Sequence, residues 1–261
     1  MHLSALYHYP LKSCRGNALA TAQVTEAGLE ADRQWMVTHP DGSFVTGREQ
    51  PRLVLIEATP GAFGLRLTAP GMPAFEVDVS RFATPWQTRV WADTFDALRG
   101  DKAADDWFSD YLGIPVHLAY IGAASNRVLR TAPGIRFAFA DGYPYLLISD
   151  ASLTDLNGRL RVPVAMGRFR PNLVVTGCTA FAEDGWRHVR IGTVEFEVVK
   201  PCDRCVFTTI DPQTGVPDPG QQPLRTLGSY RRTDAGVMFG VNLIARTTGR
   251  LTLGDQVVPS V

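Results

Sequence analysis

Cys202 and Cys205 stand three residues apart, with Asp203 and Arg204 between them, directly after the alternating stretch 193–199 and Lys200-Pro201. A thiolate is a soft metal ligand and a strong nucleophile, and a neighbouring cation favours that form. The residues alone leave four readings of this pair open. A structural zinc site needs four ligands, and Cys14, Cys178 and the five scattered histidines supply no second pair at ligand spacing. A thioredoxin-like dithiol belongs at a helix N-terminus in a βαβ unit, whereas 206–210 read here as a strand. The two thiols can also be inert and packed. The remaining reading is one reactive thiolate that binds a soft metal or attacks a substrate.

Three cationic segments could serve such a centre. Arg168-Phe-Arg170-Pro-Asn172 brackets an aromatic with two guanidinium groups and adds an amide. Guanidinium forks match phosphate and carboxylate. Tyr9-Pro-Leu-Lys12-Ser13-Cys14-Arg15-Gly16 closes the first strand, and Asp32-Arg33 opens a later one. Phe139-Ala-Asp141-Gly142-Tyr143-Pro144 leads towards a helix start, where free N–H groups face anions. As bare patterns, the three cationic segments are more often solvated turns, and an ordinary strand–helix connection accounts well for the fourth. There is no His-Glu-x-x-His, no Gly-x-Ser-x-Gly and no dinucleotide fingerprint, so zinc protease, serine hydrolase and nicotinamide dehydrogenase chemistry have no support.

The elements that must position these residues are mostly strands. Short alternating or apolar runs fall at 3–9, 34–38, 53–58, 65–68, 75–79, 88–91 and 116–120, separated by turn signals such as Asp41-Gly42 and Pro60-Gly61. This spacing is that of barrel or sandwich strands. Helical spacing occurs twice, at 102–112 and 149–160, the second with Ser149 or Asp150 as a candidate N-cap. Strands resume at 172–176, 189–191, 193–199 and 206–210, and 236–244 with 251–258 read as a closing hairpin. The irregular stretch 121–139 is taken as a connection, which divides the chain into 1–120 and 121–261.

At 261 residues and 45% hydrophobic content, the chain can bury substantial cores. Lys plus Arg equals Asp plus Glu at 26 each, which argues against general nucleic-acid binding but not against a local basic pocket. No apolar run approaches the roughly 18 residues of a membrane span, and the start lacks a secretory pattern. Four cysteines are too few for a disulfide scaffold. The expectation is a cytoplasmic protein with reduced thiols.

The ordered motifs, from Tyr9-Pro-Leu-Lys12-Ser13-Cys14-Arg15-Gly16 and Asp32-Arg33-Gln-Trp35, through Ser149-Asp-Ala-Ser152-Leu-Thr-Asp-Leu-Asn157 and Phe169-Arg170-Pro171-Asn172, to Ala182-Glu-Asp-Gly-Trp186 and Pro201-Cys202-Asp-Arg-Cys205-Val-Phe-Thr-Thr-Ile-Asp211-Pro-Gln-Thr-Gly215, resemble the MOSC-domain proteins (molybdenum cofactor sulfurase C-terminal domain). Within them the chain resembles the YcbX-like proteins and the mitochondrial amidoxime-reducing component. The resemblance covers nearly the whole chain. It implies a mainly β fold with a few helices, an N-terminal β-barrel-like MOSC domain (1–120) followed by a β-barrel MOSC domain (121–261).

The resemblance further implies a molybdenum–molybdopterin cofactor (Moco), with Cys205 as metal ligand and catalytic residue. The pterin dithiolene and oxo or hydroxo groups would complete the metal. It implies that Lys12, Ser13 and Arg33 hold phosphate and pterin, that Asp141, Gly142 and Tyr143 line the cofactor, that Arg170 and Asn172 bind it, and that Asp203, Arg204 and Asn242 surround the metal end. Gly142 and Tyr143 depart from the Thr-Ser often found in the family. The implied activity is reduction of small N-hydroxylated compounds: hydroxylamines, N-hydroxylated bases and amidoximes. Pyridoxal phosphate binding is a further property associated with such domains. The alternative is a sulfur or cofactor carrier acting through a cysteine persulfide. No cysteine follows Cys205, so the ferredoxin-type iron–sulfur domain of YcbX-like proteins is not expected in the tail. Electrons are expected from separate ferredoxin, flavoprotein or cytochrome partners, with no nucleic acid and no membrane involved.

Overall fold

A computed structural model describes residues 1–123 and 125–261. The chain is mainly β with a few helices. Its largest sheet runs, in spatial order, Asn17–Leu19, His2–His8, Leu173–Thr176, Tyr145–Ser149, Gly236–Ala245, Val194–Arg204, His188–Ile191 and Val257–Ser260, with Arg232–Thr233 paired alongside Gly236–Ala245. Every pairing is antiparallel except that of Tyr145–Ser149 with Leu173–Thr176. The helix Asp150–Gly158 lies in the crossover that a parallel pair demands. Among the described residues the strand path does not close into a barrel, although the His2–Gln256 bridge brings the last strand beside the first.

The second sheet, Trp35–Thr38, His117–Tyr120, Asp93–Arg99 and Thr84–Val90, packs against the helix Lys102–Leu112. Asp101 caps that helix by accepting from the Ala103 N–H at 3.1 Å, and Gly113 ends it with φ 71°. Its buried face carries Ala104, Trp107, Phe108, Tyr111 and Leu112. These join Trp35, Leu53, Leu65 and Leu118 in one apolar core. A separate core of Leu3, Leu6, Tyr145, Leu147, Phe196, Val241 and Leu243 fills the large sheet. The site residues are supplied from both halves of the chain.

The structure corrects three expectations. Residues 206–210 are not a strand: Val206–Thr209 form a 3₁₀ turn. The Cys205 carbonyl accepts from both the Thr208 N–H and the Thr208 hydroxyl, at 3.1 and 3.0 Å, and this local bonding overrides β propensity. Likewise, 53–58 begins in the 3₁₀ turn Pro51–Leu55 before the strand Glu57–Gly61. The expected hairpin partner 251–258 is two short strands. Gly249–Thr252 pairs with Thr21–Thr25, and Val257–Ser260 pairs with His188–Ile191. Gly254, at φ 90°, lies in the turn between them. The connection 121–139 contains a small ladder of Val128–Leu129 and Ala132–Arg136. The strands 93–99 and 17–29 and the short helix Leu224–Tyr230 had no sequence counterpart.

Candidate active site

All twelve sequence-derived site residues line one cleft of about 430 Å³. Lys12, Ser13 and Arg33 come from the N-terminal half. Asp141, Gly142, Tyr143, Arg170, Asn172, Asp203, Arg204, Cys205 and Asn242 come from the C-terminal half. Phe44, Arg48, Trp91, Arg168, Lys200, Cys202 and Phe207 also line it.

The strand Val194–Arg204 delivers the two cysteines. Its register against Gly236–Ala245 shifts between Val198 and Lys200 and again between Pro201 and Asp203. Pro201 has no N–H to donate and is tolerated at such irregularities. Gly240, opposite, sits at φ 75°, and a Cβ there would lie 2.6 Å from the Ile148 side chain and 2.7 Å from the Leu147 carbonyl. After this disruption the chain turns at Cys205. Cys205 is exposed and Cys202 is half-buried. Burial pushes the Cys202 thiol up, despite Arg204 nearby. Cys202 also packs beside the apolar cluster of Ile148, Phe169 and Phe239. Of the two thiols, Cys205 is the one open to a ligand or substrate.

Arg204 folds back from the strand. Its Nε donates to the Phe239 carbonyl at 2.8 Å and its Nη1 to the Phe169 carbonyl at 3.1 Å. Its Nη2 is buried without a hydrogen-bond partner. A buried, unpaired guanidinium N–H in a cleft wall costs about 1–3 kcal/mol unless an acceptor arrives.

Arg33 and Arg170 form the deeper cationic wall. Both lie over the Tyr9 ring, at 4.5 and 4.2 Å from its centroid. Arg33 Nη1 donates to the buried Asp32 carboxylate at 2.5 Å and to Asn172 Oδ1 at 3.3 Å. Burial works against the Arg33 charge, and Asp32 outweighs it, raising the pKa. Arg170 donates to the Cys14 carbonyl. Burial, then the Arg33 charge, lower its pKa to about 10. Asn172 is buried and spends its amide on the protein. Its Oδ1 accepts from Arg33 and from the Leu146 N–H, and its Nδ2 donates to the Tyr7 carbonyl at 3.2 Å. Its geometric contribution is to hold Arg33.

Lys12 is only 6% exposed. Its Nζ donates to Asp141 Oδ1 at 2.6 Å and to the Phe139 carbonyl at 2.8 Å. Burial lowers its pKa to about 8 although Asp141 pulls the other way. Asp141, itself largely exposed, is held at about 2 by the Lys12 ammonium. Arg127, buried, clamps the same segment by donating to the Ala138 and Ala140 carbonyls. Two cations therefore tie three successive carbonyls just before Asp141.

Seven non-glycine residues have left-handed φ among those described, and four of them line this cleft: Ser13 (68°), Arg33 (47°), Trp91 (55°) and Arg170 (55°). Each such conformation costs about 1–3 kcal/mol and persists where the surroundings over-determine it, typically at functional sites. The sequence reading missed Trp91, Arg48 and Phe44. Trp91 occupies the two-residue turn between Val90 and Asp93, where glycine or asparagine is the usual choice. A tryptophan there was the available signal.

The chemistry of this donor set is specific. An exposed thiol shares a cleft with Lys12, Arg33, Arg48, Arg168, Arg170, Lys200 and Arg204, opposed by Asp141 and Asp203 and the buried Asp32. The set suits an anionic ligand, and Cys205 suits a soft metal. Among the described residues, no group of three or more His, Cys, Asp and Glu could hold a metal unaided. A metal here would need ligands from a bound cofactor.

Comparison with known proteins agrees over nearly the full length. The MOSC N-terminal beta barrel domain matches residues 1–115 and the MOSC domain matches residues 134–258. Mitochondrial amidoxime reducing component 2 of Bos taurus is 37% identical, over 99% of this chain and 83% of its own. The Homo sapiens component 2 is 36% identical, over 98% of this chain and 82% of its own. The Homo sapiens component 1 is 34% identical over the same shares.

Proposed function

The chain belongs to the MOSC-domain family, and from that premise we propose that it is a molybdenum-cofactor-dependent reductase of N-hydroxylated compounds. The relatives' names, amidoxime reducing components, support the substrate class. One observation carries the reading. Cys205 is an exposed thiol on the same cleft as the half-buried guanidinium groups of Arg33 and Arg170 and the buried, unpaired Nη2 of Arg204.

The residues fit a molybdopterin-type group. Arg33, Arg170, Lys12 and Ser13 would hold its phosphate and pterin, and Asp141, Gly142 and Tyr143 would line it. Asp203, Arg204 and Asn242 would surround the metal end, with Cys205 as the protein ligand. Asn172 would act by orienting Arg33. When bound, the group supplies a molybdenum centre able to accept oxygen from an N–O bond. The protein contributes position and charge. Overall, an amidoxime takes up two electrons and two protons and yields an amidine and water. The electrons come from separate proteins of ferredoxin, flavoprotein or cytochrome type.

The test is reduction of benzamidoxime by protein from molybdenum-replete and molybdenum-starved hosts, with a chemical electron donor, alongside Cys205→Ser. Activity only in the replete wild type is expected. Full activity of Cys205→Ser ends the assignment. The exposure of Cys205 also suits a persulfide carrier. Transfer of sulfur or cofactor to an acceptor enzyme, without turnover of benzamidoxime, favours that reading instead.

A further inference from the structure

Trp91 is 49% exposed, yet it is held on several sides. Its Nε1 donates to Asp141 Oδ1 at 3.1 Å. The Arg48 guanidinium lies 4.4 Å from its ring centroid, and Phe44 meets it edge-on at 5.0 Å. All four residues line the cleft. Asp141 belongs to the C-terminal half and the other three to the N-terminal half, so the contact joins the two. Its left-handed backbone is an unfavourable choice for a bulky side chain.

Core packing does not account for a side chain this exposed, and an indole carries no charge for a phosphate. The cleft is chemically mixed. Arg33 and Arg170 are half-buried cations, whereas Trp91 and Cys205 are exposed. Trp91 thus adds an exposed aromatic surface to the cleft that also holds the Cys205 thiol.

We infer that Trp91, braced by Asp141, Arg48 and Phe44, is the specificity-determining wall of the site, and that it selects planar, conjugated N-hydroxylated compounds by stacking. The inference rests on the reductase reading and deepens it by naming the substrate class. An amidoxime on an arene, or an N-hydroxylated nucleobase, presents a flat π-face to the indole. An aliphatic amidoxime presents only its small functional group. Aromatic pairs carry about 0.5–1.5 kcal/mol beyond the area they bury, so the discrimination that Trp91 confers is about two- to tenfold.

The experiment uses the cofactor-loaded protein and compares Trp91→Ala and Trp91→Phe with the wild type, with Trp91→Leu replacing the alanine variant should that not fold. The kcat/KM ratio for benzamidoxime over acetamidoxime is the readout, and molybdenum content is measured on each sample. Calorimetric affinities for both compounds are taken in parallel. The ratio is expected to fall about two- to tenfold in Trp91→Ala and to recover in Trp91→Phe, which keeps a stacking face, at constant molybdenum content. Equal losses on both compounds overturn the inference, as does a fall in molybdenum that tracks the loss of activity. Should the wild type reduce neither compound, the reductase reading fails, and calorimetry judges the wall separately. A preference for benzamidoxime that vanishes in Trp91→Ala supports it, and its persistence, or its absence from the wild type, refutes it.

Discussion

Arg33 donates to the main-chain carbonyl of Arg170 at 3.4 Å, so the two cations over the Tyr9 ring are also linked through the backbone. Like charges this close repel. They are kept together by the ring, by Asp32 and by the Cys14 carbonyl. The arrangement concentrates positive charge that the balanced composition conceals.

Tyr9 is accordingly the keystone of the cationic wall. Its hydroxyl donates to the buried Pro171 carbonyl at 3.0 Å. Tyr9→Phe is expected to cost about 1–3 kcal/mol by leaving that acceptor unpaired. Tyr9→Ala is expected to cost about 3–5 kcal/mol by removing the ring as well. Urea unfolding of both variants checks the order. Equal losses would show that the ring contributes nothing beyond its hydroxyl.

Lys12 gives a signed pH dependence. Its folded pKa, about 8, lies below the ordinary value of 10.5 because burial disfavours the ammonium. Between those values the unfolded chain binds more protons than the folded one. Stability from this group therefore rises with pH across that window and is lower beneath it. Unfolding free energies of wild type and Lys12→Met, measured from pH 7 to 11, should diverge across the window. Asp141→Asn, which removes the partner raising the Lys12 pKa, should move the onset to lower pH. Parallel profiles for wild type and Lys12→Met would contradict the placement of this ammonium.

Gly240 allows the irregular pairing that places Cys202 and Cys205. In Gly240→Ala the new methyl meets Ile148 and the Leu147 carbonyl while the backbone stays left-handed. A loss of about 2–4 kcal/mol is expected from strain and overpacking together, read by chemical denaturation. A loss below about 0.5 kcal/mol, the scale of an ordinary surface change, would show that the strand relaxes freely.

Arg204 separates charge from fork geometry. Arg204→Lys keeps the cation but cannot span the Phe239 and Phe169 carbonyls. It should lose about 1–3 kcal/mol of stability and retain less cofactor than the wild type through purification. Wild-type cofactor content in Arg204→Lys would show that charge alone suffices at this position.

The site was more legible in the sequence than the fold around it. Cys205, Arg170, Arg33 and Lys12 sit in short local motifs that survive as motifs in three dimensions, and the cleft gathers them. Trp91 was less visible, because an apolar run through 88–91 reads as strand until the turn is seen. The stretch 206–210 misled for a related reason. Its β-branched residues favour a strand, but Thr208 bonds back to Cys205. The helix Leu224–Tyr230 escaped because it is short, contains Gly228 and has no side-chain N-cap. Pairing between distant segments, such as Thr21–Thr25 with Gly249–Thr252, leaves little local trace.

X-ray absorption at the molybdenum edge tests the central claim most directly, on wild type and Cys205→Ser from a molybdenum-replete host. The account predicts molybdenum with sulfur neighbours in the wild type, and either loss of the metal or one sulfur fewer in the variant. Molybdenum with an unchanged sulfur shell in Cys205→Ser, or protein from that host without molybdenum, would contradict it.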